Sequence, residues 1–344
     1  MYGSRGGYVR AGVAAVGAVA VLLVAACTSS DGDGGDGGRD GGPGTGPDRP
    51  ARTADRFWVD PDGNAARRAA GHRRAGDARA AALVHRIASR PTGVWIGTDD
   101  PEGEARRVTT AAARADRHPL LVLYDIPHRD CGQHSAGGAA DGAAYRAWIE
   151  AVARGVGDRP ATVVLEPDAV MHLVDGCTEG RYHEERYALL AGAVRRLARL
   201  PHTRVYLDAG NPGWSRPEAL PGPLGRAGLA DADGFAVNVA NFHTTAASRA
   251  YGRRISALTG GKHFVIDTGR NGNGPYAGGD PAGDWCNPPV RALGEPPTTR
   301  TGDPLVDAHL WVKRPGESDG PCRGGPQAGE WFAPYALELA RNAR

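Results

Sequence analysis

The sequence predicts an α/β fold: a distorted (β/α) barrel of about seven parallel strands in a single domain. Two segments carry most of the prediction, Leu121–Gly138 and Val163–Val170, in which an apolar, β-branched run ends abruptly in acidic residues. Parallel strands that are buried on both faces have this composition. The acidic residues would then lie at the carboxyl ends of strands, where parallel barrels carry their active sites.

The same pattern recurs along the chain. Five further strand-like runs end in polar residues: GVWIGT, RVYLDAGN, GFAVNVANF, HFVIDTGRNGNG and AHLWVKRPGESD. Helical patterns such as AYRAWIEAVARGV and YALLAGAVRRLARL lie between the runs. Alternating strands and helices predict a parallel sheet. Polar side chains converging from so many strand ends favour a nearly closed barrel over an open doubly wound sheet.

Three acidic residues stand out at the predicted strand ends. Asp130, Glu166 and Asp168 follow two neighbouring strands of the predicted barrel. Carboxyl groups that are brought together in this way indicate acid–base chemistry. An alternative is that each acid caps a following helix or pairs with a nearby arginine. The repetition of the pattern favours the chemical interpretation.

The amino-terminal residues have the composition of an export signal. Arg5 and Arg10 precede the apolar run Ala11–Ala26, which ends in small residues before Cys27. This pattern predicts a lipoprotein signal peptide over residues 1–26 and lipidation of Cys27. An uncleaved membrane anchor and ordinary signal cleavage are the alternatives, although the apolar run is shorter than the ~20 residues of a spanning helix.

Composition sets the remaining domain boundaries. Residues 27–53 are rich in Gly, Asp and Pro and predict a flexible linker. Residues 54–344 are compatible with one barrel domain. The 41 basic and 39 acidic residues give a net charge of +2, so nothing points to nucleic acid as a partner.

Taken in order, several segments resemble glycoside hydrolase family 6, the inverting cellulases. They are YDIPHRDCGQHSAGG, VVLEPDAV, LDAGNPGW, DTGRNGNGP, DWCNPPVRALG and TGDPLVDAHLWVKRPGESDG. The resemblance covers roughly residues 57 to 335. It implies a distorted barrel, commonly of seven strands, and the hydrolysis of β-1,4-glucosidic bonds.

The resemblance also implies roles for individual residues. Asp168 matches the general acid, and Asp130 the neighbouring carboxylate that raises the acid's pKa. Asp319 matches the candidate base, although a water chain leading to Asp130 is an alternative. Tyr124 would favour distortion of the sugar ring, with ordinary strand packing as the alternative. Asp208 would support the site electrostatically, with a structural role as the alternative. A structural role, with Asp319 paired to Lys313 or an arginine, remains open.

Substrate contacts follow from the same resemblance. Aromatic rings stack on the apolar faces of sugars, and the expected substrate-binding residues are Trp95, Trp214, Trp285, Asn238, Lys313 and Glu317. Trp58, Trp148, Trp311 and Trp331 stay unassigned, because an isolated Trp is more often part of a core. No metal or cofactor is expected.

Five cysteines are an odd number for an exported chain. Assigning Cys27 to lipid leaves four, enough for two disulfides. The resemblance pairs Cys131 with Cys177 and Cys286 with Cys322. A metal site is the competing interpretation, but the spacings contain no C-x-x-C pair.

The chain departs from the family pattern in three places. Ala136 follows Ser135 where many members have a second small residue with a hydroxyl group. The hydroxyl that could hold the nucleophilic water is therefore missing or is supplied by Ser135. Asn211 stands where a histidine is common. HTTAASR follows Asn241 where some relatives have a further Trp.

We therefore expect an inverting endo-β-1,4-glucanase, a monomer held by a lipid on Cys27 at the outer face of the cell membrane. Processive members cover the cleft with long loops, and no insertion is visible between Asp168 and Cys177 or between Trp285 and Trp311. The alternatives are an exo-acting cellobiohydrolase of the same family and a non-catalytic sugar-binding lipoprotein.

Overall fold

Seven parallel strands form one sheet in which each strand pairs with the next along the chain. The computed structural model describes residues 56–279 and 283–343. The predicted signal peptide, Cys27 and the linker to residue 53 lie outside the described residues. The strands are β1 Val94–Trp95, β2 Leu120–Leu123, β3 Ala161–Leu165, β4 Thr203–Asp208, β5 Gly234–Val237, β6 His263–Asp267 and β7 Val306–Leu310. All seven predicted runs are strands.

Helices surround the sheet and connect its strands. Two of them, α1 and α2, precede β1. The α-helices are α1 Asn64–Arg74, α2 Ala78–Ala88, α3 Pro101–Arg114, α4 Gly142–Val156, α5 Met171–Val174, α6 His183–Leu197, α7 Pro221–Arg226, α8 Thr245–Leu258 and α9 Ala333–Asn342. Both helices predicted from apolar spacing are present, as α4 and α6.

Polar residues set the first turns of several helices. Asp77, Asp100, Asp141 and Thr244 each accept a hydrogen bond from a backbone N–H in the first turn of α2, α3, α4 and α8 respectively. These N–H groups have no partner within the helix, so the caps stabilise the helix starts. No helix of the described residues is long and apolar enough to span a membrane.

Successive side chains along the strands point to opposite faces of the sheet and belong to two different apolar clusters. Leu121, Val163 and Val205 belong to a large cluster that also contains buried residues of helices α3 to α8. Val122 and Val164, one residue further along, belong to a second cluster made almost entirely of strand residues. The second cluster fills the interior of the curled sheet, and the first joins the sheet to its helices. This two-sided burial explains the apolar runs in the sequence.

The two edges of the sheet meet around Gly93. Its N–H donates to the carbonyl of Trp311, at 2.8 Å, and the indole Nε1 of Trp95 donates to the carbonyl of Val312, at 3.1 Å. A Cβ atom on Gly93 would lie 2.4 Å from the Val312 carbonyl oxygen. Glycine therefore allows the chain before β1 to approach the chain after β7, and the barrel is nearly closed.

Both disulfides implied by the resemblance are present. Cys131 pairs with Cys177, 46 residues away, and Cys286 pairs with Cys322, 36 residues away. All four cysteines lie in loops that follow the carboxyl ends of strands or short elements beyond them. The bridges therefore fix the loops on the side of the barrel where the acidic residues collect.

Gly93→Ala should destabilise the domain by about 1–3 kcal/mol, because the new methyl group overpacks the point where the sheet edges meet. Urea unfolding followed by circular dichroism measures the change. Gly192→Ala is the matched control: Gly192 lies within α6, and a Cβ there has no neighbour within 4 Å. The control should be neutral or slightly stabilising. Equal stability of both variants would contradict the role assigned to Gly93.

Candidate active site

In the register of the sheet, the carboxyl ends of β2, β3 and β4 lie side by side. Leu123, Leu165 and Leu207 are direct neighbours across β2, β3 and β4. The next residue of each strand or loop is polar: Tyr124, Glu166 and Asp208. Parallel strands therefore deliver these side chains to the same end of the barrel.

Asp168 lies at the centre of this end of the barrel. Its backbone has a positive φ of 69°, a conformation that costs energy for a residue other than glycine. Its N–H donates to Oδ2 of Asp208, at 2.9 Å. The nearby hydroxyl of Tyr124 acts to lower the pKa of the Asp168 carboxyl group. The residue as a whole is partly exposed.

The pKa of Asp168 is raised well above its ordinary value. Burial makes the largest contribution, the negative charge of Asp208 the next, and those of Asp130 and Asp175 smaller ones. Each neighbouring charge disfavours ionisation of the Asp168 carboxyl group. The sequence interpretation named Asp130 for this effect. The structure adds Asp208 as the larger electrostatic contributor.

Asp208 is itself almost completely buried, at 1% exposure. Its Oδ2 accepts the N–H groups of Asp168 and Gly210, whereas Oδ1 has no hydrogen-bond partner. Burial raises the pKa of Asp208 to about 7, against the opposing effect of the backbone hydrogen bonds. Burial and the proximity of the two carboxyl groups therefore disfavour ionisation of both Asp168 and Asp208.

Asp130 reaches the site from the loop after β2. Its Oδ2 accepts the N–H of Ser135, at 2.5 Å. The adjacent Cys131 is bonded to Cys177, and Arg129 donates from Nε to the Ser135 carbonyl, at 2.8 Å. The loop is thus folded around the Asp130 carboxylate.

Glu166 stabilises the strand ends from within. Its side chain is fully buried and accepts the N–H groups of Asp125 and Ile126, at 3.0–3.2 Å. Burial raises the pKa of Glu166 to about 7. These contacts join the chain after β2 to the chain after β3. Glu166 therefore positions the backbone beside Asp168 and does not face the cleft.

Asp319 has the opposite electrostatic environment. Arg270 donates from Nη1 to its Oδ2, at 2.8 Å, and Lys313 Nζ lies 3.7 Å from Oδ1. Burial acts to raise the pKa of Asp319, but the two cations together lower it below the usual value. Asp319 is therefore an ionised carboxylate. Sequence reasoning left open an arginine partner for Asp319 but did not identify it as Arg270, which stands three residues after β6, in the polar run that marks a strand end.

The three predicted tryptophan platforms are all half-buried. The Trp95 ring meets Tyr124 edge-on, with ring centroids 5.7 Å apart. The Trp214 ring meets His172 edge-on at 5.3 Å, and the Trp285 ring lies 5.9 Å from that of His134. Trp95 therefore lies beside Tyr124, the tyrosine whose hydroxyl influences the pKa of Asp168.

Three other predicted contact residues are already paired; Glu317 and Asn238 are buried, and Lys313 is half-buried. Lys313 Nζ donates to the Ser318 carbonyl, at 2.9 Å. Glu317 accepts from Asn64, at 2.8 Å, and lines a cavity of about 240 Å³ together with Trp95. Asn238 is fully buried, and its amide bonds the backbone of His243 and Asp267. The structure thus gives Asn238 a loop-bracing position and does not bring its side chain to the cleft.

Within residues 56–279 and 283–343, one group of three side chains with potential metal-ligand atoms lies close together: Cys131, His172 and Cys177. Metal binding by cysteine requires the thiolate. Both sulfur atoms are joined in a disulfide here, so the group does not fit a metal ion.

Comparison with known proteins agrees with this geometry. The family model "Glycosyl hydrolases family 6" matches residues 52–343. The chain is 40% identical over 295 residues to Endoglucanase A of Thermobispora bispora, covering 83% of this chain and 62% of that protein. It is 42% identical over 267 residues to Endoglucanase A of Cellulomonas fimi, covering 76% and 57%.

A solved structure is also similar: the endoglucanase Cel6 from Mycobacterium tuberculosis, in complex with methyl-cellobiosyl-4-deoxy-4-thio-β-D-cellobioside. It has 45% sequence identity and a TM-score of 0.77, and the match covers 83% of this chain and 96% of that one.

Asp208→Asn should lower the pKa of Asp168, because the amide keeps the acceptor for the Asp168 N–H but removes the negative charge. Asp130→Asn should lower the same pKa by a smaller amount. Carboxyl ¹³C NMR titration measures both. The proposed ranking, in which Asp208 raises the Asp168 pKa more than Asp130 does, would be contradicted by either of two results. One is an Asp168 pKa that is unchanged in Asp208→Asn, and the other is a larger fall in Asp130→Asn than in Asp208→Asn.

Proposed function

We propose that this chain, which belongs to glycosyl hydrolases family 6, is an endo-β-1,4-glucanase that cleaves cellulose-like glucans with inversion of configuration. One observation carries the proposal: Asp168 is a partly exposed residue at the carboxyl end of the strands, and the pKa of its carboxyl group is raised by burial and by Asp208. A protonated carboxyl group near neutral pH is what a general acid requires.

The proposed reaction is a single displacement. Asp168 gives its proton to the glycosidic oxygen while a water molecule attacks the anomeric carbon from the opposite face of the sugar. Tyr124 contacts the Trp95 ring and lies near Asp168, and it would crowd the sugar ring at the cleavage point. A distorted ring resembles the oxocarbenium-like transition state.

Two carboxylates are candidates for activating the water. Asp319 is ionised, but its pairing with Arg270 and Lys313 lowers its basicity. Asp130 contributes to the electrostatic field at Asp168 and would act through an intervening water. We propose Asp319 as the base, because its two cationic neighbours keep it ionised and able to orient a water molecule, with Asp130 as the alternative.

The names of the relatives support endo-action. The Thermobispora, Cellulomonas and Mycobacterium proteins are all endoglucanases. The chain spans about three-fifths of the length of the first two, 62% and 57%. The activity of this chain is therefore proposed from its own site together with these likenesses.

A second candidate, an exo-acting cellobiohydrolase, is favoured by one contact. His134, in the loop after β2, packs against Trp285 and against Gly320 beyond β7. Loops that meet above a cleft are what an exo-acting enzyme needs to hold a chain end.

The wild-type protein should cause a steep early fall in the viscosity of carboxymethylcellulose for each reducing end released, because internal cleavage shortens chains quickly. Asp168→Asn should lower the rate by about 10²- to 10⁴-fold, since the transferable proton is lost and the shape is kept. Viscometry and a reducing-sugar assay are run in parallel. Cellobiose formed with little loss of viscosity would favour the exo-acting candidate, and an inert wild type would favour the non-catalytic sugar-binding lipoprotein.

We further propose that Cys27 carries a lipid that holds the protein at the outer face of the membrane. The support is the basic and apolar sequence that ends at this cysteine. Cys27→Ala should release the protein from the membrane fraction or block its processing, which fractionation and mass spectrometry of the amino terminus would measure. A processed variant that stays membrane-bound would contradict the proposal.

A further inference from the structure

The two disulfide-bonded loops touch each other through His134. Its ring lies 5.9 Å from the ring of Trp285, at an interplanar angle of 45°. On another side the ring meets Gly320: a Cβ atom built on that glycine would be 2.5 Å from His134 Cγ. The histidine therefore occupies space that any other residue at position 320 would fill.

The Gly320 side of this contact is rigid. Its carbonyl accepts hydrogen bonds from Asn287 Nδ2 and Ser318 Oγ, both at 2.9 Å. Asn287 also bonds the adjacent Asp319 twice, through its own N–H at 3.0 Å and through Oδ1 at 2.9 Å. The segment that carries the candidate base is therefore fixed independently of the other loop.

The His134 side leads directly to Asp130. The next residue, Ser135, donates its N–H to the Asp130 carboxylate, and its carbonyl accepts a hydrogen bond from Arg129 Nε. A displacement of His134 would therefore move the hydrogen-bond donor that holds Asp130 in place.

We propose that His134 is a positioning residue that clamps the Asp130 loop against the Asp319–Gly320 segment and borders the glucosyl unit bound at Trp285. The inference rests on the proposed glucanase function and deepens it. Because the histidine contacts the expected sugar platform, occupation of Trp285 is linked to the position of Asp130.

The clamp makes a prediction that a purely structural role does not. Asp168 is faced by Asp208 at the end of β4, by Asp130 and Tyr124 after β2, and by Asp175 directly after α5. Loss of the clamp moves only the Asp130 charge away. The pKa of Asp168 should then fall, and the alkaline limb of the kcat/KM profile should move to lower pH.

Three variants of the full chain test the clamp. His134→Ala should lower kcat on cellohexaose by roughly 10- to 100-fold, through misplacement of the catalytic groups, and should shift the alkaline limb downward. His134→Phe keeps a ring against Trp285 and Gly320 and should restore most of both. Gln133→Ala, an exposed neighbour on the same loop, is the control and should behave as wild type. Unfolding midpoints establish that all three variants fold.

A His134→Ala variant with wild-type kcat and pH profile would overturn the proposal, as would a His134→Phe variant no better than His134→Ala. If the wild type proves inactive on glucans, the proposed function fails but the clamp can still be tested. The ¹³C titration of Asp168 should move to lower pH in His134→Ala even without a substrate, and an unchanged titration would reject the clamp by itself.

Discussion

The site depends on keeping one carboxyl group protonated at the open end of a parallel barrel. Asp168 is placed there by β3, and β4 and the loop after β2 bring Asp208 and Asp130 beside it. Removing these groups from water disfavours their charged forms, and their mutual repulsion adds to the effect. Several other features follow from this arrangement: the positive φ of Asp168, its hydrogen bond to Asp208, and the Glu166 side chain that joins the neighbouring loops.

A second carboxylate in the same barrel has the opposite state. Asp319 is also buried, but Arg270 and Lys313 compensate its charge and hold it ionised. Pairs of carboxyl groups whose surroundings push their pKa values apart are the usual basis for dividing acid and base roles. Here the fold separates the two roles. The proposed acid, Asp168, lies after β3 beside β2 and β4, whereas the ionised Asp319 lies in the loop after β7.

The strand count, the nearly closed barrel and the two disulfides were predictable from sequence, since buried parallel strands and family motifs leave strong local signals. Partners that are distant in the chain were not. Arg270 and Asp319 are 49 residues apart, and nothing in either segment specifies the other. The larger effect of Asp208 on Asp168 arises from strand register. Asn238 was expected at the substrate, but its amide is used by the backbone around it. A side-chain hydrogen bond to the backbone of a loop produces no repeating pattern in the sequence, so it could not be predicted from sequence alone.

The central claim is that this site performs one displacement, with Asp168 as the proton donor and water as the nucleophile. The most direct test is the anomeric form of the first product, followed by proton NMR during the first minutes of cleavage of a soluble β-1,4-glucan oligosaccharide. A single displacement predicts that the α-anomer appears first and then mutarotates. Initial release of the β-anomer would mean that a side chain forms a covalent intermediate, and would contradict the account.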